Sequence, residues 1–214
     1  MKTGMGMNLD TMKHRIMRKY LLWFPAGGRI LDVGSGDGDF LDLLKNDCFI
    51  GEGVDSDASK VFKTRSRGLT VFLSDAKEFI RHKVSKYDGI FCSNFLEHFQ
   101  PADVTDFLGL FRTALKPGGR LIIVGPNPRS LRMVTETFWI DPTHVRFYPN
   151  RFFHDVLVPM GFDVLESGDD VETRFRRLPN VIASTLAVVK KVMRWLGTGY
   201  IFEGDEIYMV AEKR

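Results

Sequence analysis

Apolar residues fall in short runs along residues 29–124: Arg29-Ile30-Leu31-Asp32-Val33, Phe49-Ile50-Gly51-Glu52-Gly53-Val54, Thr70-Val71-Phe72-Leu73, Tyr87-Asp88-Gly89-Ile90-Phe91-Cys92 and Arg120-Leu121-Ile122-Ile123-Val124. Runs of this length with β-branched residues read as strands, and the unbroken apolar 121–124 suits a strand covered on both faces. Between them lie stretches of helical spacing. In 102–115, Val104, Phe107, Leu108, Phe111, Ala114 and Leu115 share one face. Pro101 suits the first turn, and Lys116-Pro117-Gly118-Gly119 predicts the stop. Strand and helix in alternation predict an α/β fold with a parallel, doubly wound sheet.

Beyond Gly125 the rhythm changes. Pro126, Pro128, Pro142 and Pro149 leave room for a regular helix only near 129–138. Residues 151–160 read as a short helix closed by Gly161, and 162–165 and 206–210 as strands. Between those strands, Val181, Ile182, Leu186, Val188, Val189, Val192, Met193, Trp195 and Leu196 share half of a helical wheel. Lys190, Lys191 and Arg194 lie on the other half. This predicts an amphipathic helix over 178–196 that packs on its own domain or serves as a lid, a dimer face or a membrane-surface helix.

Composition narrows the classes. The 214 residues are 44% hydrophobic and 27% charged, with 18 Phe, which excludes disorder as the main state. Two cysteines exclude a disulfide scaffold and an all-thiolate zinc site; Cys92, in an apolar run, reads as a buried thiol. No run approaches the roughly 20 apolar residues that span a bilayer, and Leu21-Leu22-Trp23-Phe24 is too short for a signal peptide, so a cytoplasmic protein is expected. The net charge of +3 is unevenly spread: residues 1–24 carry five basic residues and one acid, and 174–194 carry six basic residues and no acid. An acidic body with two basic segments favours a local anionic contact, such as a membrane surface, over general nucleic-acid binding.

The strongest chemical signal is Ile30-Leu31-Asp32-Val33-Gly34-Ser35-Gly36-Asp37-Gly38-Asp39. A strand, three alternating glycines and a helix pattern make a turn where backbone approaches a ligand closely. Asp55 follows the second run, 17 residues past Gly38, where a carboxylate can accept hydrogen bonds from two ribose hydroxyls; Asp75 follows the third. A dinucleotide would want a third glycine at Asp39 and a pyrophosphate at the helix start, which Asp37 and Asp39 would repel. Acids there suit a ligand with an ammonium group and no phosphate, such as S-adenosylmethionine.

These residues closely resemble class I S-adenosylmethionine-dependent methyltransferases, of the kind acting in bacterial small-molecule and glycan pathways. Leu31–Gly38 is similar to the first motif, Val54-Asp55-Ser56 to the second, Ser74-Asp75-Ala76 to the third, and Tyr87–Ile90 through Glu97-His98 to the fourth. Leu115–Leu121 resembles the loop before the fifth strand. The resemblance implies a Rossmann-like, seven-stranded, mostly parallel sheet with an antiparallel last strand. It places an N-terminal helical segment at 1–28, the methyltransferase domain at 29–214 and a helical insertion at about 171–200. By motif position Gly34, Ser35, Gly36 and Gly38 line the amino-acid end of the cofactor, with Asp32 near its ammonium. Asp55 and Ser56 fall at the ribose, Asp75 and Ala76 at the adenine, and Asn94 near the methyl donor.

Methyl transfer to a hydroxyl needs a proton acceptor, and neutral histidine suits that near pH 7. His98 follows the fourth strand; His144 lies in Asp141-Pro142-Thr143-His144-Val145-Arg146-Phe147-Tyr148, on the acceptor side in the family's plan. Both are candidate catalytic residues, with helix-start packing as the alternative for His98. Arg146 and Tyr148 can orient an anionic or sugar acceptor, or Arg146 can pair with Asp141. Phe138, Trp139, Phe147, Phe152 and Phe153 wall an acceptor pocket or fill the core. Asp141, His144, Glu97 and His98 contain metal-binding types, but no spacing demands a metal and none is expected. The expected activity is O-methylation of a small-molecule, glycan or lipid-linked acceptor, yielding S-adenosylhomocysteine, with homodimerisation as a further expectation. The alternative is a cofactor-binding partner or regulatory subunit without catalysis. A nucleic-acid enzyme is disfavoured because Asn94-Phe95-Leu96 lacks the amide–proline–aromatic run of amino-group chemistry.

Overall fold

The apolar runs become the strands of one seven-stranded sheet, in the order β3-β2-β1-β4-β5-β7-β6, with β7 antiparallel, as the sequence predicts. In this computed structural model, which describes residues 16–170 and 204–214, the strands are β1 Arg29–Val33, β2 Ile50–Asp55, β3 Val71–Leu73, β4 Tyr87–Ser93, β5 Leu115–Pro126, β6 Phe162–Asp170 and β7 Glu206–Lys213. The helices are α1 Asp39–Asn46, α2 Ala58–Ser66, α3 Ala76–Arg81, α4 Pro101–Ala114, α5 Leu131–Thr135 and α6 Asn150–Leu157. The amphipathic segment 178–196, the insertion and most of the basic N-terminus lie outside the described residues.

The helical stripe of α4 is buried from Val104 to Ala114, and Cys92 is a buried free thiol. Burying a Val, Leu or Phe side chain contributes about 1.5–3 kcal/mol, so this face holds the helix on the sheet. The helix ends at Ala114, before the expected stop at Lys116–Gly119, but the start of the fifth strand is corrected: β5 begins at Leu115, directly after α4, rather than at Arg120. The turn is carried inside the strand, with Gly118 at φ 72° and no room for a Cβ at Gly119, which would sit 2.8 Å from the Lys116 carbonyl. The helix expected over 129–138 is also shorter. Ser130 caps α5 by accepting the Met133 N–H, then Glu136 leaves helical geometry and Thr137–Ile140 continues as a 3₁₀ turn.

By internal contacts the chain divides into two units: residues 1–91 with 110–121 and 213, and residues 92–109 with 122–212 and 214. In the first, the described part of the N-terminal segment joins the core. Tyr20 packs 5.6 Å from the Phe91 ring, and Phe24 lies flat on β4 where only Gly89 leaves space; a Cβ there would fall 2.2 Å from the Phe24 ring. β1 and β2 run parallel in register, Asp32 beside Gly53 and Val33 beside Val54, and β2 pairs with β3, Asp55 beside Leu73. That register brings the carboxyl ends of β1, β2 and β3 to one edge, the ligand edge of open α/β sheets.

Candidate functional site

At that edge the first unit builds a cradle from backbone. Gly34, Gly36 and Gly38 all take positive φ, at 70°, 52° and 79°. Gly34 and Ser35 donate their N–H groups to the Val54 carbonyl, pinning the turn to β2. Asp55 accepts from the Gly36 N–H at 2.8 Å through one oxygen and from the Asp57 N–H at 2.8 Å through the other. The glycines differ in purpose. A Cβ on Gly38 would meet the Thr64 side chain at 2.6 Å, so this glycine admits α2; a Cβ on Gly36 would enter space with only the Gly34 carbonyl at 4.0 Å. Gly36 therefore keeps open a volume that no described residue fills.

The side chains around this volume fit a cationic, phosphate-free ligand. Asp32 is 4% exposed, and burial, followed by the charges of Asp55 and Asp39, pushes its carboxyl up to about 8. An ammonium group beside it would favour the ionised form. The buried Ser35 Oγ has no hydrogen-bond partner among the described residues. Asp37 modifies the charge argument made from sequence, because Lys63 pairs with it at 2.8 Å and Arg67 donates to its carbonyl. Asp75 caps α3 by accepting the Glu78 N–H; Ala76 beside it is buried and Ser56 is exposed. Asn94, at φ 49° and exposed, belongs to the second unit, where its amide donates to Glu206 Oε1 at 2.9 Å.

The second unit gathers both histidines. The loop 141–148 is stitched to the turn after β4: the Glu97 carbonyl accepts the Val145 and Arg146 N–H groups, and the Tyr148 hydroxyl donates to the Phe99 carbonyl at 2.7 Å. This brings the His98 and His144 rings to 4.8 Å between centroids. His144 Nδ1 lies 2.7 Å from the Phe138 carbonyl, which can only accept, so Nδ1 carries the proton and Nε2 a free electron pair. The Thr143 hydroxyl donates to Asp141 Oδ1 at 2.6 Å, so its oxygen accepts from His98 Nδ1 at 2.8 Å, and the His98 ring also hydrogen-bonds to the Thr143 and Asn94 backbone. Burial, then the neighbouring His144, lowers the His98 pKa, keeping it neutral near pH 7.

Glu97 completes the group. It is 3% exposed, and burial, followed by the charges of Glu206 and Asp141, raises its carboxyl to about 8. One carboxylate oxygen of Glu97 and one ring nitrogen of each histidine all lie within 4.8 Å of one another. The sequence names these three residues, with Asp141, as metal-binding types, but not their contact, because His98 and His144 lie 46 positions apart. Asp141 stays with Thr143, which holds its carboxyl below the ordinary range. Arg146 lies 5.4 Å over the Tyr148 ring. Of the aromatic residues, Phe138 and Phe153 are buried and Trp139 is exposed; Phe138 stacks on Phe147 at 3.8 Å.

Comparison with known proteins adds the lineage. The family described as a methyltransferase domain matches residues 9–167. No curated protein matches the chain. Among solved structures, it is similar to a SAM-dependent methyltransferase from Archaeoglobus fulgidus at 25% identity, TM-score 0.76, covering 95% of this chain and 94% of that one. It shares its fold with the methyltransferase in complex with the Haloferax volcanii Trm112 activator, at 17% identity, TM-score 0.66 and coverage of 95% and 93%. It also shares it with magnesium protoporphyrin IX methyltransferase from Synechocystis with bound SAM, at 12% identity, TM-score 0.61 and coverage of 100% and 87%.

Proposed function

The chain belongs to the methyltransferase-domain family, the class I S-adenosylmethionine-dependent methyltransferases, and on that premise we propose that it methylates a hydroxyl oxygen of a small-molecule, glycan or lipid-linked acceptor. S-adenosylmethionine, when bound, supplies a methyl group on a sulfonium whose departure leaves a neutral thioether. The chain's residues hold and orient. Gly34, Gly36 and Gly38 give the cofactor's amino-acid end close backbone access, and Asp32 faces its ammonium. Ser35 offers an otherwise unpartnered hydroxyl, Asp55 and Ser56 serve the ribose, and Asp75 with Ala76 serves the adenine. Asn94, by motif position, belongs near the methyl donor.

The choice of oxygen rests on one observation: two imidazoles stand with ring centroids 4.8 Å apart, each with Nδ1 held by an outer partner. A hydroxyl nucleophile must lose its proton, and a neutral imidazole accepts it near pH 7. His144 and His98 are the proton acceptors of this reading. No helix among the described residues is long and apolar enough to cross a membrane. In this reading the protein acts in the cytoplasm, and its basic segments 1–24 and 174–194 suit an anionic membrane surface or a second copy.

Calorimetry with S-adenosylhomocysteine tests the cradle. Wild-type protein binds, and Asp55→Ala weakens binding at least about tenfold, the worth of one hydrogen bond to a charged group. Binding by the variant as tight as wild type refutes the placement. A panel of sugars, phenols and lipid-linked glycans with labelled methyl donor tests the acceptor. Cofactor binding without transfer to any of them favours a non-catalytic module.

A further inference from the structure

We propose that Glu97, His98 and His144 form a binding site for a divalent first-row transition cation. Two imidazoles and one carboxylate are a donor set that recurs around zinc and non-haem iron, with further positions left for water or substrate. Their donor atoms already lie within 4.8 Å of one another. A tetrahedral set about 2.0–2.2 Å from a cation needs donors about 3.3 Å apart, so side-chain movements of roughly 1 Å close it. His98 and His144 are half-buried and have room to make them.

The surroundings are those of metal ligands. A ligating histidine donates its outer N–H to a carbonyl or carboxylate, which fixes the tautomer and aims the other nitrogen at the ion. His144 does so to the Phe138 carbonyl, and His98 does so through the Thr143 hydroxyl to Asp141. Asp141 is thereby an outer partner rather than a ligand. Glu97 is 3% exposed, and a bound cation would supply a counter-charge to its buried carboxylate.

The cation site stands on the second unit's side chains alone; only its use rests on the methyl-transfer reading. A hydroxyl at an open position of the ion becomes more acidic, as water on zinc does. The proton then leaves to solvent, the oxygen pair forms the bond to the methyl carbon, and the carbon–sulfur pair departs on sulfur. The charge of the ion does not change, so no oxidant or reductant enters. With the cation bound the two imidazoles act as ligands and the ion activates the hydroxyl; without it they remain the proton acceptors of the reading above.

Tag-free protein stripped with chelator and titrated with Co²⁺ tests the site by calorimetry and by the visible absorption of the bound ion. One Co²⁺ per chain is expected, with a spectrum of nitrogen–oxygen ligation and displacement by Zn²⁺. His98→Ala, His144→Ala and the near-isosteric Glu97→Gln each weaken binding at least tenfold, whereas the exposed His154→Ala leaves it unchanged. Absence of stoichiometric Co²⁺ binding in folded wild-type protein overturns the proposal, as does binding that survives the His98→Ala/His144→Ala double variant. S-adenosylhomocysteine binding in the same samples separates the outcomes. Its loss indicts the methyltransferase reading, and its retention without Co²⁺ binding indicts the cation site alone.

Discussion

Two buried glutamates show how differently the units treat the same side chain. Glu52, 6% exposed at the centre of β2, accepts from Lys86 at 2.7 Å, from the Tyr87 hydroxyl at 3.0 Å, and from Arg29. Burial raises its pKa, but the hydrogen bonds from Lys86, Tyr87 and Arg29 together outweigh it and hold the carboxyl below its ordinary 4.5. Glu97 is equally buried, yet it is pushed up to about 8 and the charges acting on it are acids. Asp32, in the glycine cradle, behaves like Glu97. A buried acid whose partners are supplied within the fold is scaffold. One left at high proton affinity costs stability and marks where a cation from beyond the described residues is expected.

The largest effect that sharpens this contrast is expected at Asp32. The folded carboxyl has its pKa raised from 3.8 to about 8, so the folded state binds more protons than the unfolded one between those values. Stability of the ligand-free protein therefore falls as pH rises through that window, and the full cost is present above about 8. Asp32→Asn removes the cost. Its ligand-free form melts higher at pH 8, by about 2–4 °C for each kcal/mol relieved. Loss of a charge-assisted contact worth about 1.5–3 kcal/mol weakens S-adenosylhomocysteine binding about 10- to 150-fold. Thermal scans at pH 5 and pH 8 with parallel calorimetry check both; unchanged affinity makes Asp32 a structural acid.

The glycines carry the same distinction between scaffold and ligand. Gly38→Ala drives a methyl group to 2.6 Å from Thr64 at a positive φ, so overpacking of about 1–3 kcal/mol adds to backbone strain. Gly36→Ala carries only the strain, about 1–2 kcal/mol, because its methyl group enters open space. Denaturant titration should rank Gly38→Ala as the less stable, while Gly36→Ala stays folded and loses S-adenosylhomocysteine binding. Intact binding in Gly36→Ala means the open volume serves no ligand.

Most of the first unit was legible in the chain because its site is made of backbone. The need for positive φ writes itself into the spacing of Gly34, Gly36 and Gly38, and a strand end writes itself into the apolar run before Asp55. Three features escaped for physical reasons. The Lys-Pro-Gly-Gly segment ends the helix as read, but it reads as a loop before the fifth strand, since local propensity does not register that strand pairing continues through it. The break at Glu136 divides a helix that proline spacing alone would permit. The Glu97–His98–His144 group is assembled by backbone hydrogen bonds from the loop 141–148 to Glu97, and no spacing in the sequence encodes those. Side-chain clusters of this kind depend on tertiary register, which the pattern of apolar positions fixes only for the strands.

The smallest effect concerns Glu52 itself. Tyr87→Phe deletes one of three donors and leaves the carboxylate paired with Lys86 and Arg29, so a loss of about 1 kcal/mol is expected at pH 7. Because the Glu52 pKa is lowered in the fold, its contribution is complete above its ordinary 4.5 and is lost as pH falls below that value. The difference between wild type and Tyr87→Phe should therefore narrow as pH falls through the lowered folded value, as read from urea midpoints at pH 7 and stepwise below pH 4.5. A gap that persists unchanged at low pH would assign the Tyr87 hydroxyl a packing role instead, and would remove Glu52 as the compensated counterpart against which Asp32 and Glu97 are judged.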